Sequence, residues 1–246
     1  MKLETKNLTT VGILGAIVIM LGLTPLGFIP LGVLTITSLH IPVIIAGILE
    51  GPVVGGLVGL IFGFFSLFNA MTRPTPISFV FYNPLISIMP RILIGIVTGL
   101  IYRALKDKDN NKLRLFMNVF WTIVVIILGY VTVKSFIENV DLINKVFSII
   151  FLLIACVMLY LSLKNKKANF AIAVSSFMGT LTNSGLVLGL IYIFYAQKYA
   201  QAIGINPDLA AKTIFSAFIT NAIPEAIVAI LVSSAVVTSF SKRRRQ

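Results

Sequence analysis

The 246-residue chain is 58% hydrophobic and only 11% charged, which excludes a water-soluble globular domain, since such domains average about 25% charged residues. Its net charge of +12 would suggest nucleic-acid binding in a soluble protein, but the basic residues cluster beside apolar runs, so no nucleic-acid partner is predicted. The single cysteine, Cys156, lies within an apolar run and supports neither a disulfide nor a metal site.

Eight apolar segments are long enough to cross a bilayer as helices, which takes roughly 20 residues each. They cover 8–25, 30–49, 52–70, 85–105, 115–136, 143–163, 168–196 and 211–239. The runs are continuous rather than alternating, which favours helices over a barrel. The first run ends without a small-residue cleavage site and is therefore treated as a span, not as a signal peptide.

The distribution of basic residues predicts the orientation. Fourteen of the 20 Lys and Arg residues lie at the termini or in loops on the same side, and five lie in the opposite loops. Because positive residues are retained in the cytoplasm, the chain is predicted to be an all-α polytopic membrane protein with both termini inside (N-in/C-in). The basic cluster 242–245 is interpreted as an anchor at that face.

Spans five and six, residues 115–163, contain no proline and one glycine. We predict that 106–167 form an inserted transmembrane hairpin at the edge of a six-helix core, 1–105 and 168–246, within a single transmembrane domain 1–246. The connection 69–84 is rich in proline and aromatic residues and too apolar to be freely solvated. We expect it to fold back over the outer mouth of the bundle.

Two charged side chains, Arg91 and Glu225, fall within core spans away from their ends, where each costs roughly 3 kcal/mol. Either they pair with each other or with backbone for stability, or they line a pocket in which Arg91 is the counter-ion of an anionic solute. Other polar candidates for such a substrate-binding pocket are His40, Asn69, Asn83, Asn183, Tyr192 and Asn221. Asparagine suits amide and hydroxyl recognition, although an interhelical hydrogen bond is the alternative for each.

Small residues recur every four positions in three spans, which lets helix backbones approach closely. The glycines at 51, 55, 59 and 63, and at 95 and 99, predict packing within the chain. Gly12 and Ala16 repeat the spacing on the first span, where such a face could equally serve a partner protein.

Several catalytic signatures are missing from the sequence. It contains no P-loop, no His-Glu-x-x-His and no Cys-x-x-Cys motif, and only one histidine. The chain is therefore predicted not to hydrolyse ATP, to hold no metal or cofactor and not to be an enzyme. An intramembrane enzyme or assembly factor is an alternative that no reactive residue pair supports.

An ordered series of segments resembles the substrate-binding S component of energy-coupling factor (ECF) vitamin transporters, of the pantothenate type. The series is TTVGILGA at 9–16, TSLHIPVIIAG at 37–47, EGPVVGG at 50–56, Asn69 with RPTPISF at 73–79, PRILIG at 90–95, GTLTN at 179–183 and TNAIPEA at 220–226. The resemblance covers about 1–105 and 168–240. Six spans are usual in such components, so the 106–167 hairpin is a departure.

The resemblance implies a mechanism and a location in the bacterial plasma membrane. The chain would bind a vitamin from outside, dock on a separate transmembrane scaffold protein driven by two ATPase subunits, and topple to release its load. Gly12 and Ala16 would occupy the small-xxx-small positions that pack on the scaffold. Pantothenate fits one arginine and several amides; hydroxymethylpyrimidine, folate and cobalamin remain open, as does a self-sufficient secondary transporter, for which no inverted repeat is found.

Overall fold

The structure is a computed structural model that describes residues 5–31, 34–138, 140–165 and 168–243. Of the basic residues used to predict orientation, Lys2, Lys166, Lys167, Arg244 and Arg245 lie outside this part of the chain. The described residues form one β-hairpin and nine α-helices. The helices are α1 Thr5–Leu23, α2 His40–Glu50, α3 Pro52–Thr72, α4 Pro84–Ser87, α5 Met89–Leu105, α6 Asn110–Ile137, α7 Leu142–Lys164, α8 Phe170–Ala202 and α9 Ala210–Arg243.

Seven stretches of the described chain are long and apolar enough to cross a membrane: α1, α3, α4 with α5, α6, α7, α8 and α9. The predicted polytopic helical fold is confirmed, and these stretches match seven of the eight predicted spans.

The second predicted span, 30–49, is not a single helix, and that prediction is corrected. Strands β1 (Phe28–Leu31) and β2 (Leu34–Thr37) form an antiparallel hairpin that pairs Phe28 with Thr37. Proline in β1 cannot donate an intrahelical hydrogen bond, and the alternating Leu-Thr-Ile-Thr of β2 favours a strand. The 11 residues of α2 that follow extend about 16 Å at 1.5 Å per residue, roughly half of a bilayer core.

Helices α3 and α5 cross in direct backbone contact through their glycines. A Cβ atom added to Gly59 would overlap the carbonyl oxygen of Arg91, and one added to Gly95 would overlap the carbonyl of Gly55. This contact fixes the first turn of α5 against the middle of α3, and it thereby positions Arg91, which lies in that turn. The predicted role of these glycines in packing within the chain agrees with the geometry.

Helix α1 has two different small-residue faces. Gly15, Val18 and Gly22 are buried, and Cβ atoms at the two glycines would meet Ile61 and Phe65 of α3. Gly12 and Ala16 are exposed on another face, and a Cβ at Gly12 would have no neighbour within 4 Å. The second face is therefore open on the surface of the described bundle.

Helices α6 and α7 pack against each other at the edge of the bundle. Trp121 and Met117 of α6 join Phe170 of α8 and Ile230 of α9 in one buried cluster, whereas only Ala155 and Ser162 of α7 are buried. The division of the chain into a six-helix core and an inserted hairpin stays a prediction.

Candidate functional site

A cavity of about 530 Å³ lies at the end of the bundle that carries the β-hairpin and the connection from α3 to α4. We call this end the cavity end. This volume falls within the range of roughly 300–1,000 Å³ that is usual for small-molecule sites. Part of the segment 69–84, which is predicted to fold back over the outer mouth, lines this cavity, whereas which side of the membrane it faces stays a prediction. The residues that line the cavity are Phe28, Thr37, Phe62, Ser66, Asn69, Ala70, Arg73, Thr75, Ile77, Ser78, Phe81, Arg91, Asn183, Ser184, Val187, Leu188, Ile191, Tyr199, Ala217, Asn221 and Glu225.

Three long helices each contribute one face to this cavity. Residues three or four apart lie on the same side of a helix. The lining residues follow that spacing as Phe62, Ser66 and Asn69 on α3, with Arg73 directly after its end, as Asn183, Ser184, Val187, Leu188 and Ile191 on α8, and as Ala217, Asn221 and Glu225 on α9. The β-hairpin (Phe28 and Thr37), the connection from α3 to α4 and Arg91 of α5 form the rest of the wall.

Arg91 lies in the cavity wall with part of its guanidinium group unpaired. Its side chain is only 7% exposed, its Nη1 donates to the carbonyl of Ile86 at 2.7 Å, and its Nε is buried with no partner among the described residues. The guanidinium lies 5.3 Å from the ring centre of Phe62 and 5.6 Å from that of Phe81. These aromatic faces stabilise the cation without neutralising it.

Glu225, the other buried charge, is 4% exposed and is held by two donors. Its Oε1 accepts from the backbone N–H of Thr37 at 3.0 Å, and its Oε2 accepts from the hydroxyl of Ser184 at 2.8 Å. No Arg91 nitrogen lies within 4.0 Å of a carboxylate oxygen of the described residues, so the two charges line one cavity without forming an ion pair.

Three of the predicted asparagines reach the same cavity: Asn69, Asn183 and Asn221. The Oδ1 atoms of Asn183 and Asn221 are buried with no hydrogen-bond partner among the described residues. A buried acceptor without a partner costs roughly 1–3 kcal/mol, so such atoms are normally completed by water or by a ligand.

The other three predicted binding residues lie elsewhere. His40 is 0% exposed at the start of α2, with Nε2 3.2 Å from the Thr180 hydroxyl. Asn83 caps α4 by accepting from the Leu85 N–H at 3.0 Å, and its amide lies 3.5 Å from the Tyr195 hydroxyl. Tyr192 is 49% exposed and lines a separate apolar groove between α8 and α9. None of these three residues lines the cavity of about 530 Å³.

The sequence interpretation missed several lining residues. Phe62, Ser184 and Tyr199 are ordinary residue types in apolar helices, and Phe81 is an ordinary residue type in the aromatic connection between α3 and α4, so nothing in their identity marks them. The spacing of Phe62, Ser66 and Asn69 on one face of α3 would have shown the stripe.

The chemistry of the cavity suits a small anionic solute with hydrogen-bonding groups. Among the described residues, one buried cation has an unpaired donor and two amide oxygens lack partners, and the remaining wall combines aromatic and aliphatic side chains with further polar ones. Within the described residues there is no group of three His, Cys, Asp or Glu side chains that could hold a metal ion.

A family model described as "ECF transporter, substrate-specific component" matches residues 6–137 and 115–237. The pantothenate transporter PanT of Leuconostoc mesenteroides subsp. mesenteroides is 34% identical over 113 residues, covering 43% of this chain and 55% of that protein. The pantothenic acid transporter PanT of Lactococcus lactis subsp. cremoris is 24% identical over 224 residues, covering 85% of this chain and 79% of that protein. The chain thus aligns with about half the length of the first relative and most of the second.

Proposed function

Because the chain belongs to the family of substrate-specific components of ECF transporters, multi-pass proteins of the bacterial cell membrane, we propose that it is the vitamin-binding subunit of an ATP-driven importer. We propose pantothenate as the vitamin. Two relatives carry pantothenate in their names, and the cavity offers a cation for a carboxylate together with groups for an amide and hydroxyls. In this proposal the chain is a transporter subunit and not an enzyme.

The observation that supports an anionic substrate is the Arg91 side chain, a buried cation on the cavity wall whose Nε has no partner among the described residues. An unpaired buried charge is expensive, whereas a carboxylate can accept two parallel bonds from a guanidinium. The ligand carboxylate therefore binds at Arg91 in this proposal.

The remaining polar groups of the cavity would hold the rest of the vitamin. Asn183 and Asn221 each offer an oxygen that has no partner among the described residues, and Asn69 contributes a further amide from α3. A carboxylate has about four acceptor positions, and Thr37 and Ser184 use two of those on Glu225. Glu225 can therefore accept from a ligand hydroxyl while it anchors the hairpin.

We propose that the cavity end faces the outside and that both termini are cytoplasmic. The excess of basic residues at the termini and in the loops on their side supports this orientation. A solute would then enter from outside, beside the hairpin and the connection 73–82.

We further propose that the open face of α1, Gly12 and Ala16, docks on a separate transmembrane scaffold coupled to two ATPase subunits. Both residues are exposed, and a Cβ added at Gly12 would meet no described atom within 4 Å, whereas Gly15 and Gly22 of α1 pack on α3. In lipid, helices associate through close contact at small residues, so this face would provide a docking surface.

Binding of pantothenate, of its uncharged alcohol panthenol and of other vitamins to the purified full-length chain tests the substrate. We expect the unmodified chain to prefer pantothenate over panthenol by about 30-fold or more, which is about 2 kcal/mol for the charge-assisted contact. Arg91→Ala should weaken pantothenate binding to the panthenol level and leave panthenol binding almost unchanged. An equal loss of affinity for both ligands would assign Arg91 a structural role. Tighter binding of hydroxymethylpyrimidine, folate or cobalamin than of pantothenate would show that pantothenate is not the substrate.

Uptake assays test the docking surface. We expect Gly12→Leu and Ala16→Leu to abolish uptake by cells that contain the scaffold and the ATPases, and to leave pantothenate binding by the isolated chain intact. Gly129→Leu is the matched control, because Gly129 of α6 also has no neighbour within 4 Å of an added Cβ. Loss of binding together with uptake would mean that the face is structural. Accumulation by the chain alone would mean that it needs no scaffold.

A further inference from the structure

We propose that Arg73, at the rim of the cavity, captures the anionic solute before Arg91 binds it, and so determines the rate and the charge selectivity of binding. This inference rests on the proposed function. The two arginines occupy different environments in the same wall, since Arg73 is exposed and Arg91 is buried.

The backbone around Arg73 is held in a defined conformation. Its N–H donates to the carbonyl of Asn69 at 2.9 Å and ends α3. Pro74 follows directly and disfavours helical backbone at Arg73, whose φ is −130° and whose ψ is 66°, and Pro76 disfavours helical backbone at Thr75 in the same way. The next turn is closed twice, because the Thr75 N–H donates to the Ser78 hydroxyl at 2.8 Å and the Ser78 N–H donates to the Thr75 carbonyl at 3.0 Å. The guanidinium is thus presented from a rigid base.

The charges that line the cavity favour an anion. Two lining residues, Arg73 and Arg91, are cations and one, Glu225, is an acid. Both oxygens of Glu225 already accept hydrogen bonds, and Arg73 forms no ion pair with a carboxylate of the described residues. The formal charge of the described lining is therefore +1, which a monoanion neutralises.

The two positions should act on different rate constants. An exposed charge attracts an approaching ion over about one Debye length, which is about 30 Å at 10 mM salt and about 3 Å at 1 M salt. Exposed charges at a site therefore alter the association rate and its salt dependence, whereas a buried charge-assisted contact alters mainly dissociation. Because Arg73 is exposed, we expect it to alter the association rate; because Arg91 is buried, we expect it to alter the dissociation rate.

Association and dissociation rates of radiolabelled pantothenate, measured on the full-length chain in nanodiscs of zwitterionic lipid, test this inference. At about 10 mM salt we expect Arg73→Gln to slow association about 3- to 10-fold and to change dissociation less than about twofold. At about 1 M salt the difference in association should vanish. Arg73→Lys should retain most of the association rate.

The matched control is Lys212→Gln, which removes another exposed cation at the cavity end that does not line the cavity. It should leave the association rate within about twofold of the unmodified chain. The inference is overturned if Arg73→Gln associates as fast as Lys212→Gln at low salt, or if its defect persists unchanged at high salt. Failure of the unmodified chain to bind pantothenate overturns the proposed substrate and this inference with it, whereas binding without an Arg73 effect overturns the inference alone.

Discussion

Glu225 is expected to hold the β-hairpin against α9, and this can be measured by comparing Glu225→Gln with Glu225→Ala. The glutamine oxygen can accept from the Thr37 N–H, and the glutamine amide can donate to the Ser184 hydroxyl, so both existing contacts are kept without the charge. Alanine loses both contacts. Because both variants lack the carboxylate, the difference between their stabilities reports the contribution of the two hydrogen bonds and not the cost of burying a charge.

The expected difference follows from these contacts. Two neutral hydrogen bonds contribute about 1 kcal/mol each, and a Thr37 N–H left without a partner costs about 1–3 kcal/mol more. Because water or local rearrangement recovers part of this, we expect the free energy of unfolding of Glu225→Ala to be about 2–4 kcal/mol below that of Glu225→Gln.

Unfolding in detergent can be followed through the single tryptophan. Trp121 is 1% exposed and belongs to the same buried cluster as Ile227 and Ile230 of α9, so its fluorescence reports on the packing of the helix that carries Glu225. Hydrogen exchange over residues 28–37 should accelerate in Glu225→Ala and stay close to the unmodified chain in Glu225→Gln. The exchange measurement localises the effect to the hairpin.

Ser233→Ala provides the matched control on α9. The Ser233 hydroxyl is buried with no partner among the described residues, so its removal should cost almost nothing. The hairpin-anchoring role of Glu225 is refuted if Glu225→Ala and Glu225→Gln unfold within about 0.5 kcal/mol of each other, or if exchange over 28–37 is the same in both.

Three further outcomes are expected. Gly59→Ala should lower the free energy of unfolding by about 1–3 kcal/mol in the same fluorescence assay, because the new Cβ overlaps the Arg91 carbonyl, whereas Gly129→Ala, in open space, should be neutral or stabilising. Asn221→Ala should weaken pantothenate binding about tenfold in calorimetry, since it removes one polar contact; unchanged affinity would place Asn221 outside the site. Tyr192→Ala should leave that affinity within about twofold, because Tyr192 lies in the groove between α8 and α9, and a larger loss would contradict this placement.

The charged cavity residues could be predicted from the sequence because charge within an apolar helix is rare and costly. Arg91 and Glu225 stand out for that reason, and Asn183 and Asn221 stand out as amides in apolar surroundings. Polar character did not distinguish a cavity from a packed interface, however. His40 is just as conspicuous in the sequence, yet its ring contacts Thr180 in the packed interior.

The hairpin and the aromatic wall could not be predicted by the same reasoning. Residues 26–50 are apolar whether they form a spanning helix or a hairpin followed by a short helix, so hydropathy does not separate the two. Phe62 and Phe81 resemble lipid-facing residues in sequence. The place of Phe62 beside Arg91 depends on the rotation of α3 against α5, which the backbone contact at Gly59 sets and residue spacing alone does not. Phe81 reaches Arg91 from the connection between α3 and α4, whose path the sequence does not give.

Helix α3 connects the two surfaces to which the proposed function assigns separate roles. Ile61 and Phe65 lie under the buried glycines of α1, whereas Phe62 and Ser66, each one residue further along α3, line the cavity. Helix α1 contributes no cavity-lining residue within the described chain, so a ligand cannot act on the face of Gly12 and Ala16 by direct contact. The shortest physical route by which ligand binding could influence docking is therefore a shift of α3. Helix α3 is held on one side by its contacts with Gly15 and Gly22 of α1, and on the other side by the contact of Gly59 with the backbone of Arg91.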